Sequence, residues 1–244
     1  MTRLAGKTAV ITGGGSGIGL GIALAFAAEG CRTLIAGRNA QRLLDAAATW
    51  ACTPGLLTHP VDVSDRESVR QLFDQARREL GRIDILVNSA GTNIKTRTMA
   101  SMSPEQWDQV LAINATGAYN CLAEVLPEMR ARGDGLIVNI SSIAGKRAIS
   151  LGGIAYCASK FAMTALGTAV GNEVAPDGVR VTNVYPGEVN TPILVNRPEP
   201  VSDERKAAMV QPEDVGALVA AIAALPPRAH VPEIIIKPLV QQYV

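Results

Sequence analysis

The sequence predicts an α/β fold in which one doubly wound, seven-stranded parallel sheet is flanked by helices, within a single domain of residues 1–244. Three observations predict it. Short apolar runs of strand length alternate with helix-length segments along the whole chain. The apolar runs lack strict polar alternation, which indicates strands buried on both faces of a parallel sheet. No break in composition and no linker marks a domain boundary.

The predicted strands are short and rich in Val, Ile and Leu. They cover residues 8–12, 32–37, 56–61, 83–87, 136–140, 179–184 and 233–236. Each is followed by a turn or glycine segment and, except for the last, by a longer segment with helical character. This alternation favours right-handed crossovers between parallel strands.

Capping signals and apolar residues at i, i+3, i+4 and i+7 predict the helices between these strands. Asn39 can cap the second helix, Ser64 and Glu67 form a capping box for the third, and Ser103 with Gln106 forms one for the fourth. The helices are expected over residues 20–29, 39–47, 64–80, 103–129 and 212–225, and a further helix that bears Tyr156 and Lys160 is expected to run to about residue 174.

Composition excludes several classes of function. The formal net charge is only +1, so the sequence does not predict a basic surface of the kind that binds nucleic acid. The four cysteines lack ligand spacing and only two histidines are present, so no metal site is expected. No secretory leader and no apolar segment of the ~18 residues that a membrane span needs is found. We therefore expect a soluble, cytoplasmic protein that does not bind membranes.

A glycine-rich loop, Gly13 to Gly19, follows the first predicted strand and leads into the first helix. Strand, glycine loop and helix together direct backbone N–H groups and a helix N-terminus towards a phosphate. The pattern is Thr12-Gly13-x-x-x-Gly17-x-Gly19 rather than GxGxxG. The alternative is a tight turn without a ligand, although the position between strand and helix favours a phosphate site.

Tyr156 and Lys160 are four residues apart and would share one face of a helix. A free phenol, with a pKa of about 10, is a poor acid or base at neutral pH. A nearby ammonium favours the phenolate and lowers that pKa, which makes the pair an acid–base device without metal or histidine. Alone, the same pair is common on solvated helices.

Six motifs in a fixed order resemble those of the short-chain dehydrogenase/reductase family, single-domain NAD(P)-dependent oxidoreductases on a Rossmann fold. The motifs are Thr12-Gly13-x-x-x-Gly17-x-Gly19, Asn88-Ser89-Ala90-Gly91, Asn114, Ser142, Tyr156-x-x-x-Lys160 and Pro186-Gly187-x-Val189-x-Thr191. The resemblance extends from about Leu4 to Val244. The sequence departs from the family pattern in two places. It has one extra residue between Ser142 and Tyr156, and its C-terminus lacks a glycine-rich ending. Both places concern the substrate rim or subunit contacts.

The resemblance implies four catalytic residues. Tyr156 would be the general acid or base, and Lys160 would lower its pKa and hold the nicotinamide ribose. Ser142 would hydrogen-bond the substrate oxygen, with Ser141 as the rival. Asn114 would order a water that links Lys160 to solvent, and its alternative is a polar residue on an exposed helix face.

The resemblance also implies the residues that bind the dinucleotide. Asp62 would accept a hydrogen bond from the adenine amino group, although an acid at a helix N-terminus is the alternative. Ser89 stands where the family most often has a second Asn. The implied cofactor-binding residues are Gly13, Gly15, Ser16, Gly17, Ile18, Gly19, Arg38, Asp62, Val63, Asn88, Ala90, Gly91, Tyr156, Lys160, Pro186, Gly187, Val189 and Thr191.

The end of the second strand predicts that NADP(H) is preferred over NAD(H). NAD-dependent enzymes tend to place an acid there, about 20 residues past the glycine loop. Here the position holds Gly37, and the next residue is Arg38. The guanidinium of Arg38 can bind a 2′-phosphate through charge-assisted hydrogen bonds. The glycine loop offers only Ser16 as a further contact for the 2′-phosphate and has no second Lys or Arg. The alternative is that Arg38 is a solvated residue at the start of a helix.

The expected function is hydride transfer between nicotinamide and a ketone, aldehyde or alcohol, as a carbonyl reductase or alcohol dehydrogenase. The alternatives are a nucleotide-binding regulator without turnover and an interaction scaffold. A short lid over the substrate is expected at about residues 191–209, and the resemblance implies a homodimer or homotetramer. Candidate substrate contacts are Asn93, Ile94, Lys95, Ile149, Glu188 and Leu194.

Overall fold

The strands of the computed structural model, which describes residues 2–242, form one seven-stranded sheet in which all neighbours are parallel. They are β1 (Thr8–Thr12), β2 (Arg32–Gly37), β3 (Leu57–Pro60), β4 (Ile85–Asn88), β5 (Gly135–Ile140), β6 (Val179–Pro186) and β7 (Glu233–Ile236). The predicted fold class is confirmed, and each predicted strand end lies within two residues of the observed one.

Helices cover both faces of this sheet. They are α1 (Gly17–Ala28), α2 (Ala40–Ala48), α3 (Arg66–Leu80), α4 (Pro104–Leu111), α5 (Gly117–Arg132), α6 (Ile154–Val174), α7 (Asp203–Ala207) and α8 (Pro212–Ala223). Alternate residues of β1 enter different cores: Ala9 and Ile11 pack with α1, α2 and α8, whereas Val10 packs with α3 and α5. Burial on both faces explains why the strands are apolar throughout.

The strand order is β3-β2-β1-β4-β5-β6-β7, so the direction of winding reverses between β1 and β4. A crevice opens at the carboxyl ends of the strands at such a reversal. The Thr12 hydroxyl at the end of β1 accepts hydrogen bonds from the backbone nitrogens of Ser89 and Ala90, both at 3.2 Å. These bonds hold the segments after β1 and β4 together at the crevice.

Two predicted helix caps are confirmed. Asn39 caps α2, because its side chain accepts a 2.9 Å hydrogen bond from the Arg42 nitrogen. Ser103 and Gln106 form a reciprocal capping box at α4, with a proline at the start of the helix. These caps satisfy N–H groups that otherwise lack a partner in the first helical turn.

The predicted capping box of Ser64 and Glu67 is wrong. Asp65 is the N-cap of α3, and its carboxylate accepts a 3.0 Å hydrogen bond from the Glu67 nitrogen. Ser64 instead donates from its hydroxyl to Asp62, at 2.6 Å. An aspartate next to a serine can serve as the cap equally well, and the nearby acceptor on Asp62 engages the serine.

The long helix expected over 103–129 is divided in two. A π-helical turn, Ala112–Thr116, separates α4 from α5, and Asn114 lies within it. A π turn inserts a residue into the helical repeat without changing the amphipathic pattern much, so the sequence does not reveal it. Likewise α1 begins at Gly17 rather than near Leu20, because the last glycines of the loop are already helical.

Glycines allow α1 to lie directly against α8. A Cβ on Gly21 would be 2.4 Å from the Pro212 carbonyl oxygen, and one on Gly216 would be 2.4 Å from the Gly21 oxygen. No larger residue fits either position without separating the helices. This contact fixes the direction of α1, whose N-terminus faces the crevice.

The segment expected to be a loop or lid contains short helical turns. A 3-10 turn spans Pro192–Asn196, and α7 follows. Arg197 and Arg205 anchor the segment to Glu188, at 2.7 and 2.9 Å. None of the helices within residues 2–242 combines the length and apolar character that crossing a membrane requires.

Candidate active site

A cavity of about 610 Å³ lies at the carboxyl ends of β1, β4, β5 and β6. Most of the predicted site residues share it. Those lining it are Gly13, Gly15, Ser16, Gly17, Ile18, Gly19, Arg38, Asp62, Val63, Ala90, Gly91, Ser142, Tyr156, Lys160, Pro186, Gly187, Val189 and Thr191. Asn88 and Asn114 lie behind this lining rather than in it.

The glycine loop presents unpaired backbone N–H groups to the cavity. Ser16 precedes α1 in an extended conformation without a side-chain cap, and the first turn of the helix holds no acid. A Cβ on Gly13 would be 2.8 Å from the Ala90 nitrogen, and one on Gly19 would be 2.4 Å from the Gly13 oxygen. Free N–H groups at the positive end of a helix, in a cradle that a Cβ would fill, fit a phosphate.

Two arginines lie at the end of the cavity beside β2 and α2. Arg38 follows β2 and is exposed, and Arg42 on α2 lines the same end. A Cβ on Gly15 would lie 3.5 Å from Arg42 Cγ, which places this side chain beside the glycine loop. Arg38 is among the predicted residues, and Arg42 is not. The spacing of four residues from Arg38 into a capped helix is the signal that could have identified Arg42.

Asp62 lies at the cavity wall rather than at a helix cap. Its Oδ1 accepts hydrogen bonds from the Ser64 nitrogen and hydroxyl, at 2.9 and 2.6 Å. These bonds lower the pKa of Asp62, and the charge of Arg38 adds to the effect. Its neighbour Val63 is fixed by a 2.9 Å hydrogen bond from Asn120 to its carbonyl oxygen. An ionised Asp62 can accept a hydrogen bond from an amino group.

Tyr156 and Lys160 project from one face of α6, as the sequence predicts. The Lys160 ammonium lies 5.7 Å from the centroid of the Tyr156 ring. Lys160 is only 4% exposed, and its Nζ donates a 2.7 Å hydrogen bond to the carbonyl oxygen of Ile140. The side chain of Met163 also contacts it, at 3.8 Å. The ammonium is thus buried with uncharged partners.

Burial shifts both pKa values of this pair. Desolvation raises the pKa of Tyr156, while the Ser142 side chain and the charge of Arg97 act in the opposite direction. Burial lowers the pKa of Lys160 to about 8. The sequence predicts a lowered pKa for Tyr156, so its direction is wrong. The reason is that desolvation of the buried phenol outweighs the groups that lower its pKa, while the Lys160 ammonium donates its hydrogen bond to the carbonyl group of Ile140.

The two serines after β5 have different surroundings. Ser141 is buried, and its hydroxyl bonds to the Lys160 carbonyl oxygen at 3.2 Å and to the Thr164 hydroxyl at 3.0 Å. Ser142 is partly exposed and interacts with the Tyr156 side chain. Its hydroxyl accepts a 3.1 Å hydrogen bond from the Ala144 nitrogen. Ser142 is therefore the serine whose hydroxyl is available beside the tyrosine.

Asn114 is fully buried and acts on the backbone behind the site. Its side chain accepts from the Thr92 nitrogen at 2.8 Å, and it donates to the Thr92 oxygen and the Ser159 hydroxyl, both at 2.9 Å. An exposed helix position, the alternative, is thereby excluded. Asn88 is similar, since it donates a 3.0 Å hydrogen bond to Asn139 between β4 and β5.

The segment after β6 closes the cavity opposite the glycine loop. The Gly187 nitrogen donates a 2.8 Å hydrogen bond to the Ile236 oxygen, and Val189 is buried and pairs with Val210. Thr191 touches the loop, because a Cβ on Gly17 would lie 3.1 Å from its side chain. These contacts place the segment directly over the N-terminus of α1.

The substrate end contains residues that the sequence did not identify. Asn93, Ile149, Glu188 and Leu194 line the cavity as predicted, whereas Ile94 and Lys95 do not. Arg97 and Gln241 line it and were not predicted. Only the folded chain brings these two segments to the site, so no local signal marks them. Among residues 2–242, no three His, Cys, Asp or Glu side chains are grouped to hold a metal ion.

Comparison with known proteins gives consistent matches along the chain. The short chain dehydrogenase family model matches residues 7–201. An uncharacterized oxidoreductase of Staphylococcus aureus (strain MRSA252) is 32% identical over 239 residues, covering 98% of this chain and 100% of that protein. An alcohol dehydrogenase from Thermococcus sibiricus, complexed with 5-hydroxy-NADP, has a TM-score of 0.88 at 28% identity, covering 98% and 99% of the two chains. A 3-ketoacyl-(acyl-carrier-protein) reductase from Brucella melitensis, complexed with NADH, has a TM-score of 0.85 at 27% identity, covering 97% and 98%.

The family match and the geometry of the site refer to the same region. The glycine loop, Ser142, Tyr156 and Lys160 all lie within residues 7–201. The sheet order, with its reversal between β1 and β4, places these residues around one cavity. On this evidence the chain belongs to the short-chain dehydrogenase/reductase family of oxidoreductases.

Proposed function

We propose that the protein is an NADP(H)-dependent oxidoreductase that interconverts a carbonyl compound and its alcohol. One observation carries the proposal. Tyr156, Ser142 and Lys160 meet at one end of a cavity whose other end holds the glycine loop and Arg38. A single elongated ligand with a phosphate-rich part and a reactive ring would span both ends.

The chain has the groups that would bind this cofactor. The N–H groups at the start of α1 would hold the pyrophosphate, and Asp62 would accept from the adenine amino group. Lys160, whose ammonium lies within 3.6 Å of a Cβ built on Gly91, would hold the nicotinamide ribose. When bound, NADPH supplies the hydride for the carbonyl carbon.

Tyr156 would handle the proton at the substrate oxygen. In the reducing direction its hydroxyl donates a proton to that oxygen, and in the oxidising direction the phenolate removes it. Ser142 would hold the oxygen with a hydrogen bond, because its hydroxyl lies beside the tyrosine. The Ser142 hydroxyl and the charge of Arg97 oppose the desolvation that raises the pKa of Tyr156. The Lys160 ammonium, 5.7 Å from the centroid of the ring, would stabilise the phenolate when it forms. Asn114 would act through the backbone of Thr92.

The preference for NADP(H) is supported by the residues at the end of β2. Gly37 provides no carboxylate to bind ribose hydroxyls or to repel a phosphate. Arg38 and Arg42 both line this end, so two guanidiniums can approach a 2′-phosphate. The archaeal enzyme with bound 5-hydroxy-NADP is consistent with this choice. The NADH-bound reductase shows that the fold alone does not determine it.

A lid over residues 191–209 is supported by its contacts around the substrate end. Leu194 and Arg197 line the cavity, and the Asn196 oxygen accepts a 2.8 Å hydrogen bond from Arg97. Side-chain polar contacts from Glu188, Arg97 and Gln211 hold the segment to the body of the protein. A segment anchored in this way can open for a substrate and close over it.

A homodimer or homotetramer is supported by exposed aromatic side chains on the long helices. Tyr119 on α5 is 49% exposed and Phe161 on α6 is 42% exposed. Such side chains are enriched in subunit interfaces. Light scattering of the purified chain would measure the mass of the assembly, and a monomer would contradict this part of the proposal. The four free cysteines fit a reducing compartment such as the cytoplasm.

The function is tested by turnover. The purified protein is incubated with NADPH or NADH and a panel of ketones, quinones and aldehydes, and oxidation is followed by the loss of absorbance of the reduced cofactor. The proposal expects carbonyl-dependent oxidation that is faster with NADPH. Saturable binding of NADPH without any turnover across the panel would instead indicate a nucleotide-binding regulator.

A further inference from the structure

Arg97 lies between β4 and α4 and is held at the substrate end of the cavity by backbone groups. Its Nε donates to the Ile94 oxygen at 3.0 Å and its Nη2 to the Asn196 oxygen at 2.8 Å, while Nη1 donates to the Leu151 oxygen. Its own carbonyl oxygen accepts a 3.2 Å hydrogen bond from the nitrogen of Ile154, the first residue of α6. The guanidinium is therefore positioned beside the helix that carries Tyr156 before any ligand binds.

The charge of Arg97 is not compensated. Within residues 2–242 it forms no ion pair with a carboxylate, and no Asp or Glu is among the charges that act on its pKa. Burial lowers the pKa of Arg97, and the charge of Arg197 lowers it further. Glu188, the acid at this end of the cavity, already binds both Arg197 and Arg205. In the described part of the chain, Arg97 and Arg197 thus line this end of the cavity with a single carboxylate, which leaves an excess of positive charge where the substrate would lie.

Arg97 also retains hydrogen-bonding capacity. A guanidinium carries five N–H donors, and three of those on Arg97 bind the carbonyl oxygens described above. Two donors remain, one on each terminal nitrogen. Such donors bind a carboxylate with charge-assisted hydrogen bonds, which are stronger than bonds to a neutral oxygen. The partial burial of Arg97 limits screening of its charge by water.

We propose that the substrate carries a carboxylate that binds Arg97, so that the enzyme acts on an oxo acid or the corresponding hydroxy acid. This inference rests on the proposed oxidoreductase function and specifies the class of its substrate. Arg97 determines specificity and does not itself transfer a proton, although its charge opposes the desolvation that raises the pKa of Tyr156. The substrate carbonyl lies at Tyr156 and Ser142, while the carboxylate lies under the lid, close to Arg97.

Matched pairs of carbonyl compounds isolate the charge. The 3- and 4-formylbenzoates are compared with their primary amides, since an amide has nearly the shape of a carboxylate without its charge. The wild-type enzyme is expected to prefer the acid of at least one pair by about ten- to a hundred-fold in kcat/KM. The preference should lie mainly in KM, because the interaction is made in both ground and transition states.

Variants of Arg97 separate recognition from a purely structural role. Arg97→Gln should abolish the preference for the acid, measured as the ratio of kcat/KM for the acid to that for its amide, because a loss common to both substrates through Tyr156 cancels in this ratio. Arg97→Lys should retain part of the preference. Lys95→Gln removes the same charge from an exposed residue outside the cavity and should change nothing. An equal loss for acid and amide in Arg97→Gln would show that Arg97 only ties the segments together, and would overturn the inference.

A binding measurement keeps this inference distinct from the proposed function. Benzoate and benzamide are titrated calorimetrically into the Tyr156→Phe variant saturated with NADP⁺, and benzoate should bind at least tenfold more tightly unless Arg97 is also replaced by Gln. If the enzyme turns over amides without preferring acids, and benzoate and benzamide bind equally, the inference of a carboxylate substrate is refuted. The proposed oxidoreductase function then still stands. Selective benzoate binding without turnover of any substrate by the wild type would refute the oxidoreductase function and retain the anion site.

Discussion

Lys160 donates a 2.7 Å hydrogen bond from its ammonium to the carbonyl oxygen of Ile140, the last residue of β5. The bond links the helix of the Tyr156–Lys160 pair to the central sheet. It also directs the charge of Lys160 into the crevice between the strand ends, although no carboxylate pairs with it within residues 2–242. Burial without a counter-charge is what lowers the pKa of this lysine to about 8.

This burial predicts a pH-dependent cost to stability. Below pH 8, Lys160 is protonated in both the folded and the unfolded chain, and the cost of burying its charge is fully present. Between pH 8 and about 10.4 the folded chain loses the proton first, so the cost disappears as the pH rises. The stability of Lys160→Met relative to the wild type should therefore fall by roughly 2–3 kcal/mol between pH 7 and pH 10.

Urea unfolding of both proteins at several pH values, under reducing conditions, measures this difference. Taking the difference cancels the titration of groups that the two proteins share, such as the buried cysteines Cys31 and Cys121. Lys95→Met, at an exposed position, is the control and should give a difference that does not change with pH. A flat difference for Lys160→Met as well would contradict the lowered pKa.

The residues after β2 predict how cofactor choice can be reversed. Gly37→Asp with Arg38→Leu should shift the preference from NADP(H) to NAD(H), because a carboxylate binds the ribose hydroxyls and repels a 2′-phosphate. The aspartate has room, since a Cβ at position 37 would meet only Leu43, at 3.8 Å. Adding Arg42→Leu should weaken NADP(H) further. The measurement is the ratio of kcat/KM for the two cofactors.

The wild-type ratio is the reference for that experiment. Charge-assisted hydrogen bonds from the arginines should favour NADP(H) by about ten- to a hundred-fold. Arg66→Leu, an exposed arginine outside the cavity, is a suitable control that should leave the ratio unchanged. A wild-type enzyme that works better with NADH would refute the role given to Arg38 and Arg42.

The proposed lid predicts a change in hydrogen exchange. Residues 191–209 should exchange more slowly with NADP⁺ bound than without it, because Thr191 lies against the glycine loop that would hold the cofactor. Glu188→Gln should raise exchange in the segment by weakening its bonds to Arg197 and Arg205. Glu199→Gln, an exposed residue of the same segment, should not. Equal protection with and without cofactor would argue against a lid.

Features set by local sequence were predictable. The glycine loop after β1 and the pair Tyr156 and Lys160 follow from short spacings, and the structure brings them to one cavity. Asn39 was identified as a cap because an amide side chain before a helix has few other roles. The sheet followed from alternating strand-like and helix-like segments, which need no knowledge of side-chain contacts.

Features that depend on contacts between distant segments were not predictable from the sequence. Arg97 reaches the site only because the chain between β4 and α4 folds over the start of α6. The direction of the Tyr156 pKa shift depends on how deeply the rest of the fold buries the phenol, which the spacing of four residues leaves open. The π turn at Asn114 leaves the helical pattern almost unchanged, so an uninterrupted helix was the natural expectation.

The central claim is that the Tyr156 hydroxyl carries the proton. Tyr156→Phe keeps the ring and removes only that hydroxyl, so its binding of NADPH should remain within a few-fold of the wild type. Lys160→Ala is the contrasting variant and should weaken both turnover and cofactor binding, because it removes the ribose contact as well as the charge. Tyr119→Phe, on the exposed face of α5, is the matched control and should retain full activity.

The most direct test is the rate of NADPH oxidation by Tyr156→Phe on the best carbonyl substrate of the wild type. Loss of the proton donor should lower kcat by at least about a hundred-fold, the lower end of what a general acid contributes. Folding and cofactor binding are checked on the same sample by thermal unfolding and by NADPH fluorescence. A variant that binds NADPH and retains more than a few per cent of the wild-type rate would contradict the assignment of Tyr156.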